Sequence, residues 1–448
     1  IRLPEFEKDK TGHLNYARAD YPKMNELKES FEEGYKVTDV AQQRVVFTGL
    51  DITKYLEGLG YSVLCCIQTL GVFQEKLNAF LGKGHNYRLG IILSSTELPT
   101  TREINFKSRT MHKSPSELTF AVKSLALDKG ADLIGFASVE RVDKIAPQLE
   151  EILSSEGASY FTAHDVGRMS KGPFVPQIVS EKLQVRKAAD YLPKARSIIV
   201  LGMSYFDAVV ENAGENPAEV VGPYGNMQAE TISQLDDIAL SVIKKLKSLG
   251  YESTYSYDLN NMAGLVTGSC ASGRSYYGMP WRGPGLYPDM TANNFAAVAA
   301  GLGELGWSGT VLTPEFGPRQ RFTVIITEAP LEESPLYKGP ALCSKCMSCV
   351  TKCPVNAIDK DKKHSIEIEE KAFEYGVHDR QRCDWSKRYA LVGEEGPEYI
   401  GSVTNIMPPE KITPDDLSKA LRQMDPFQKA CMVIVENCIK HCKSAVKK

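Results

Sequence analysis

Apolar residues at Leu118, Ala121, Val122, Leu125 and Ala126 recur at helical spacing and predict a helix over Pro115–Lys129. Ser114 stands where an N-cap belongs and Glu117 follows three residues later, so the two can close a capping box. Gly130 ends the run, and Leu133–Ser138 follows as a strand. Short continuous apolar runs at Ser197–Met203 and Phe322–Thr327 have the length of buried strands. Ile232–Leu249 reads as a long amphipathic helix stopped by Gly250, a residue suited to a left-handed C-terminal turn. Tyr251–Tyr257 predicts another strand, Phe295–Gly301 an Ala-rich helix, and Thr310–Leu312 and Arg321–Thr327 two more strands. Nearer the start, Thr53–Gly58 and Val72–Phe80 read as helices, and Tyr61–Ile67 and Leu89–Ser94 as strands. Residues 1–45 are polar and charged and read as an arm, with helical stretches around Met24–Tyr35. The alternation of periods predicts an α/β (α+β) core. No run approaches the ~18 apolar residues of a membrane span.

Ala263–Asp289 breaks this pattern, with nine Gly and Pro in 27 positions and Tyr276, Tyr277, Trp281 and Tyr287 among them. A long aromatic loop of this kind covers something more readily than it packs in a core. The 448 residues leave room for two or three domains, at roughly 150 residues each, or for one large α/β core with additions. With 53 Lys plus Arg against 56 Asp plus Glu, the net charge of −3 supplies no global field for nucleic acid.

The 11 cysteines change the picture more. Disulfide scaffolds belong to chains under ~100 residues, and here Cys65, Cys66 and Cys270 are scattered while the others crowd between Cys343 and Cys442. Cys343, Cys346, Cys349 and Cys353, followed by Pro354, spell C-x2-C-x2-C-x3-C-P. In bacterial ferredoxins the first three thiolates of this run hold one [4Fe–4S] cluster and the fourth ligates the other. Zinc ribbons use two separated Cys pairs instead. A second half would read C-x2-C-x3-C-P, but Val435 stands at its first Cys and Lys443 at its Pro. The resulting assignment is Cys343, Cys346, Cys349 and Cys442 for one cluster, and Cys353, Cys383, Cys431 and Cys438 for the other, which could instead be a [3Fe–4S] or altered centre. Gly301–Gly306 matches G-x-G-x-x-G yet follows an Ala-rich helix, not a strand, so a dinucleotide site is rejected.

The stretch Ala300–Leu331, with GLGELG from Gly301 and TPEFGP over Thr313–Pro318, together with the Cys343–Pro354 motif, resembles the corrinoid-dependent reductive dehalogenases. Epoxyqueuosine reductase is a more distant likeness. The resemblance is clearest over residues 115–360. It implies a nitroreductase-like core over 111–335 that holds a base-off cobamide, with 263–289 as a lid. It also implies a ferredoxin-like module with two [4Fe–4S] clusters over 336–448, while residues 1–110, an N-terminal arm and α/β extension, add little to it. Gly301, Gly303, Thr313 and Glu315 are the cofactor-binding residues it implies. His164 follows Thr162 where a histidine-on corrinoid site would carry Asp, which agrees with base-off binding.

By the same resemblance, the clusters pass single electrons to cobalt and a small organohalide loses halide while an acid donates a proton. Arg321 matches the family arginine that steadies that acid, with Arg319 as its neighbour. Tyr224, three residues before Met227, has the form of the family tyrosine, although Ile232 occupies the expected position; Tyr276 and Tyr277 share the candidacy. Asn260 is the third site residue, with Asn261, Asn293 and Asn294 as alternatives, and Asp289 lies close to where epoxyqueuosine reductases carry their acid. Implied partners are a low-potential electron donor, a small membrane-anchor protein and a second copy of the chain, at the outer face of the cytoplasmic membrane or else in the cytoplasm. Other readings are a tRNA modifier like epoxyqueuosine reductase, a cobamide reductase with a non-halogenated substrate, and an electron-transfer subunit.

Overall fold

The computed structural model describes residues 38–66, 91–94, 114–155, 160–162, 177–179, 183–185, 187–218, 220–256, 262–264, 277–279, 283–285, 293–387, 391–392, 405–423 and 435–444. The chain divides into two compact units, Ile1–Arg102 and Glu103–Lys448. In the first, helix α1 (Thr38–Gly58) precedes strands β1 (Val63–Cys66) and β2 (Ile91–Ser94), which pair antiparallel. The helix expected at Thr53–Gly58 is therefore only the end of a longer one, which reaches back into the segment read as an arm.

The second unit opens with α2 (Pro115–Asp128). Its Ser114 Oγ accepts from Glu117 N at 3.3 Å while Ser114 N donates to Glu117 Oε2 at 2.9 Å, the capping box that the spacing predicted. Next come β3 (Leu133–Ser138), α3 (Ile145–Ser155), β4 (Ser197–Ser204), α4 (Val221–Ser248), β5 (Ser253–Ser256), α5 (Asn294–Ala299) and β6 (Gln320–Thr327). The sheet runs β3-β4-β6-β5 and every neighbour is antiparallel.

All eight residues of β6 are buried, which explains why its Phe322–Thr327 stretch reads as an apolar run without alternation. Ile198, Val200, Val324 and Ile326 pack with Ala296–Ala300 of the α5 region on one face of the sheet. Strand alternation sends Ile199, Leu201 and Ile325 to the other face, which α4 covers. Helix α4 begins at Val221, not at Ile232. Tyr224, Met227 and Thr231 extend the buried stripe of Leu235, Ala239, Val242 and Leu246, and Gly222, Pro223 and Gly225 hid that continuation from a reading of the sequence.

The glycines of the G-x-G-x-x-G stretch have packing roles. A Cβ on Gly303 would lie 2.0 Å from the Leu312 carbonyl oxygen, and one on Gly301, where φ is +77°, would lie 2.0 Å from that of Pro335. Backbone meets backbone at both positions, so neither glycine opens towards a ligand.

Strands β7 (Ile358–Ile368) and β8 (Lys371–His378) form a hairpin that the charged sequence of β7 concealed. Its Ile366, Ile368, Phe373 and Tyr375 belong to the same core as β4 and β6. Gln148 of α3 clamps its edge, donating to Glu367 O at 2.8 Å and accepting from Glu367 N at 2.7 Å. Arg141 adds a bond from Nε to Glu369 Oε1 at 2.9 Å and one from Nη1 to Ala299 O at 3.1 Å. The hairpin thus shares its interior with β4 and β6 inside the compact unit Glu103–Lys448. The expected loop over 263–289 contains short strands, Met262–Gly264, Tyr277–Met279 and Gly283–Gly285, the last two paired as a hairpin.

Candidate functional site

Four cysteines converge on one pocket: Cys343, Cys346, Cys349 and Cys442 line it together with Gly306, Trp307, Leu312 and Ser444. The loop that presents the first three passes through left-handed backbone at Lys345 (φ 51°) and Met347 (φ 57°), which curls the chain around the pocket. Ser444 Oγ donates to Leu342 O at 2.6 Å and so fastens the C-terminal strand of chain, with Cys442, onto the front of the motif. Trp307 N approaches Cys343 Sγ at 3.4 Å, an N–H aimed at sulfur. Amide contacts of this kind tune a cluster's potential.

The thiols differ in environment. The Ser348 amide holds the exposed Cys346 below its ordinary value, whereas burial pushes Cys349 up to about 12, with Cys442 and Cys343 adding repulsion. Burial raises Cys442 as well. Negative sulfurs crowded together are what positively charged iron relieves. Among the described residues, no three His, Cys, Asp or Glu side chains gather closely enough to hold a single metal ion. A cubane, which takes its thiolates at separated corners, suits the quartet better.

Of the second set, Cys353 and Cys383 pack against one small core of Val355, Ala357, Trp385, Leu391 and Ile412. Cys438 borders both the Tyr224 core and the Trp307–Cys349 core. Cys431 lies outside the described residues, as do Asn260, Asn261, Tyr276, Asp289 and His164.

Arg321 lies buried on β6. Its Nε donates to Tyr205 Oη, and its Nη2 lies 3.6 Å from Glu436 Oε1. Burial pulls the guanidinium pKa down, but Tyr205 and Glu436 more than reverse this, and the group stays charged. Tyr205, Asn294, Thr310, Gln320, Phe322 and Ile439 surround a small cavity with it. Neither Tyr205 nor Glu436 was singled out from the sequence. The signal for Tyr205 is its place directly after β4, the strand paired with β6; that for Glu436 is a lone carboxylate in the apolar run Val433–Ile439.

Tyr224 is not on this cavity. It is fully buried on α4 and donates from Oη to Glu436 Oε2 at 3.0 Å. Burial and then Glu436 raise its pKa well above the ordinary tyrosine value. Arg319 is engaged elsewhere, with Asp207 Oδ1 at 2.7 Å and Glu211 Oε1 at 3.0 Å. Asn293 donates to Ser256 O and Phe322 O, and Asn294 to Gly309 O at 2.9 Å.

The four implied cofactor-binding residues have these surroundings. Besides the packed Gly301 and Gly303, Thr313 closes a turn, accepting from Phe316 N at 3.1 Å and donating to Gln320 Oε1 at 3.2 Å, and Glu315 is exposed. No helix among the described residues is long and apolar enough to cross a membrane.

A family model described as a 4Fe-4S binding domain matches residues 336–359. The tetrachloroethene reductive dehalogenase of Dehalobacter restrictus is 25% identical over 286 residues, covering 60% of this chain and 45% of that protein. The enzyme of the same name from Sulfurospirillum multivorans is 35% identical over 111 residues, 22% of each chain. This chain thus spans less than half the length of the curated relatives it matches. Among solved structures, the catabolic reductive dehalogenase NpRdhA is 17% identical with a TM-score of 0.36, covering 61% of this chain and 30% of that one. Epoxyqueuosine reductase from Bacillus subtilis is 17% identical with a TM-score of 0.33, covering 54% and 52%.

Proposed function

We propose that this chain belongs to an iron–sulfur oxidoreductase that removes halogen reductively from a small organohalide, with a corrinoid as its second cofactor. The observation that carries the reading is the segment 436–442. It supplies Glu436 to Arg321, Ile439 to the adjoining cavity and Cys442 to the thiol pocket, so one short stretch of chain joins an electron store to the buried Arg321–Glu436 pair. The sequence similarity to tetrachloroethene reductive dehalogenases supplies the reaction class.

The balance is R–X + 2 e⁻ + H⁺ → R–H + X⁻. Cys343, Cys346, Cys349 and Cys442 hold the first [4Fe–4S] cluster. Cys353, Cys383, Cys431 and Cys438 belong to a second, with Cys438 on the side of the first pocket. Tyr205 is the acid. Its oxygen accepts from Arg321 Nε, burial keeps it protonated, and the guanidinium offsets the charge left when the proton moves to carbon.

The cavity that the described residues enclose beside Arg321 is far smaller than a corrin, so the corrinoid rests on the family resemblance and on a nitroreductase-like reading of the core. When bound, it supplies a low-potential cobalt centre. Attachment at the outer face of the cytoplasmic membrane through a separate anchor protein is part of the same proposal.

Composition tests the cofactor assignment. Purified anaerobically from a corrinoid-supplied host, the chain is expected to carry about eight irons, as two cubanes require, and stoichiometric cobalt. Iron without any cobalt would refute the corrinoid part and leave an iron–sulfur electron carrier.

A further inference from the structure

Among the described residues, Arg321 is the charged one that lines the Tyr205 cavity, and a buried guanidinium left to itself binds carboxylates and phenolates strongly. The fold supplies its own anion. Glu436 Oε1 lies 3.6 Å from Arg321 Nη2, with the two side chains 2% and 9% exposed. The other carboxylate oxygen accepts from Tyr224 Oη at 3.0 Å and from Gln228 Nε2 at 2.8 Å. Tyr224 and Gln228 stand four residues apart on α4, on one face, so the helix grips the carboxylate from a single side. Glu436 N also approaches Tyr224 Oη at 3.4 Å, which fixes the backbone at the same point. A carboxylate held this firmly cannot swing away to make room for an anionic ligand. The guanidinium and its fixed partner leave this wall of the cavity with no net charge.

We infer that Glu436 is a specificity-determining residue: it makes the cavity select neutral organohalides over those that carry a carboxylate or phenolate. An anion approaching Arg321 meets the carboxylate close behind the guanidinium, and like charges juxtaposed at a buried site are strongly unfavourable. A neutral molecule still receives hydrogen bonds from the cavity wall. The departing halide is held weakly for the same reason, which favours its release. The inference rests on the cavity being the substrate site, as proposed above.

The test uses a matched pair of unreactive probes, benzamide and benzoate, whose binding to the cofactor-loaded full chain is measured by calorimetry. Wild type is expected to bind benzamide at least about tenfold more tightly. Glu436→Gln removes the carboxylate charge that faces Arg321 and is expected to reverse the order, while Glu436→Asp keeps the preference for benzamide. Iron content equal to wild type identifies folded variants. Where Glu436→Gln fails that check, the wild-type and Glu436→Asp ratios decide alone. Equal binding of both probes by wild type, an unchanged ratio in a folded Glu436→Gln, or binding of neither probe overturns the inference. Bromide release from 4-bromobenzamide and 4-bromobenzoate is measured alongside. If neither is debrominated, the proposed reaction is in question, whereas the binding ratio still judges the role of Glu436.

Discussion

Replacing Tyr205 by Phe is expected to lower the rate of halide release by at least about a hundredfold, the scale of a lost general acid, while Tyr224→Phe retains most of it. The two tyrosines are close in sequence and both buried, yet the fold uses them differently. Tyr205 follows β4 directly, its N–H donating to Arg319 O at 2.8 Å, which sets its side chain beside the guanidinium of Arg321 and against the cavity. Burial raises its pKa and Arg321 works in the opposite direction, so the hydroxyl is proton-loaded but has a cation ready for the anion it would become. Tyr224 has no exposed surface and donates to a carboxylate. Its loss is expected to appear as stability, by ~1.5–3 kcal/mol for a hydrogen bond to a charged group, seen as a lower denaturation midpoint. Steady-state assays with reduced viologen, run beside denaturant melts, separate the outcomes. Full turnover in Tyr205→Phe with none in Tyr224→Phe would return the acid to Tyr224.

Cys442→Ala is expected to remove the first cluster, taking about four of the irons with it, and to abolish turnover. The expectation follows from chain connectivity as much as from ligand count. Cys442 comes from the far end of the sequence, and the nearby Ser444–Leu342 bond ties that end to the motif. Releasing it also loosens Ile439 and Glu436, so electron delivery and the cavity are damaged together. Cys383→Ala, on a different small core, should leave the first cluster's reduced spectrum intact. Iron and sulfide analysis with electron paramagnetic resonance reads both variants. Full iron content in Cys442→Ala would place the fourth ligand elsewhere.

What the sequence disclosed follows from how local each signal is. The Ser114–Glu117 cap, the buried run of β6 and the C-x2-C-x2-C spacing are each written in a few adjacent residues, and each is legible without the fold. The ferredoxin pattern assigns the last cysteine to the first cluster, and Cys442 lines the same pocket as the first three. Other features depend on distant partners. Gly301 and Gly303 look like a ligand cradle until the carbonyls of Pro335 and Leu312 are found against them. The start of α4 was hidden by glycines and a proline, although Tyr224 and Met227 continue its buried face. Tyr205 reaches Arg321 only because β4 pairs with β6, and Glu436 reaches it across 115 positions of chain. A resemblance led to a tyrosine by its flanking residues, whereas the cavity is lined by one that carries no such flank.

The most direct test of the account is anaerobic turnover of the full chain, loaded with iron and corrinoid, with reduced viologen and a panel of haloalkenes and haloarenes in deuterated water. One halide released for every two electrons consumed is expected, with deuterium on the carbon that lost the halogen. Electron uptake by the loaded protein with no halide released from any member of the panel would contradict it.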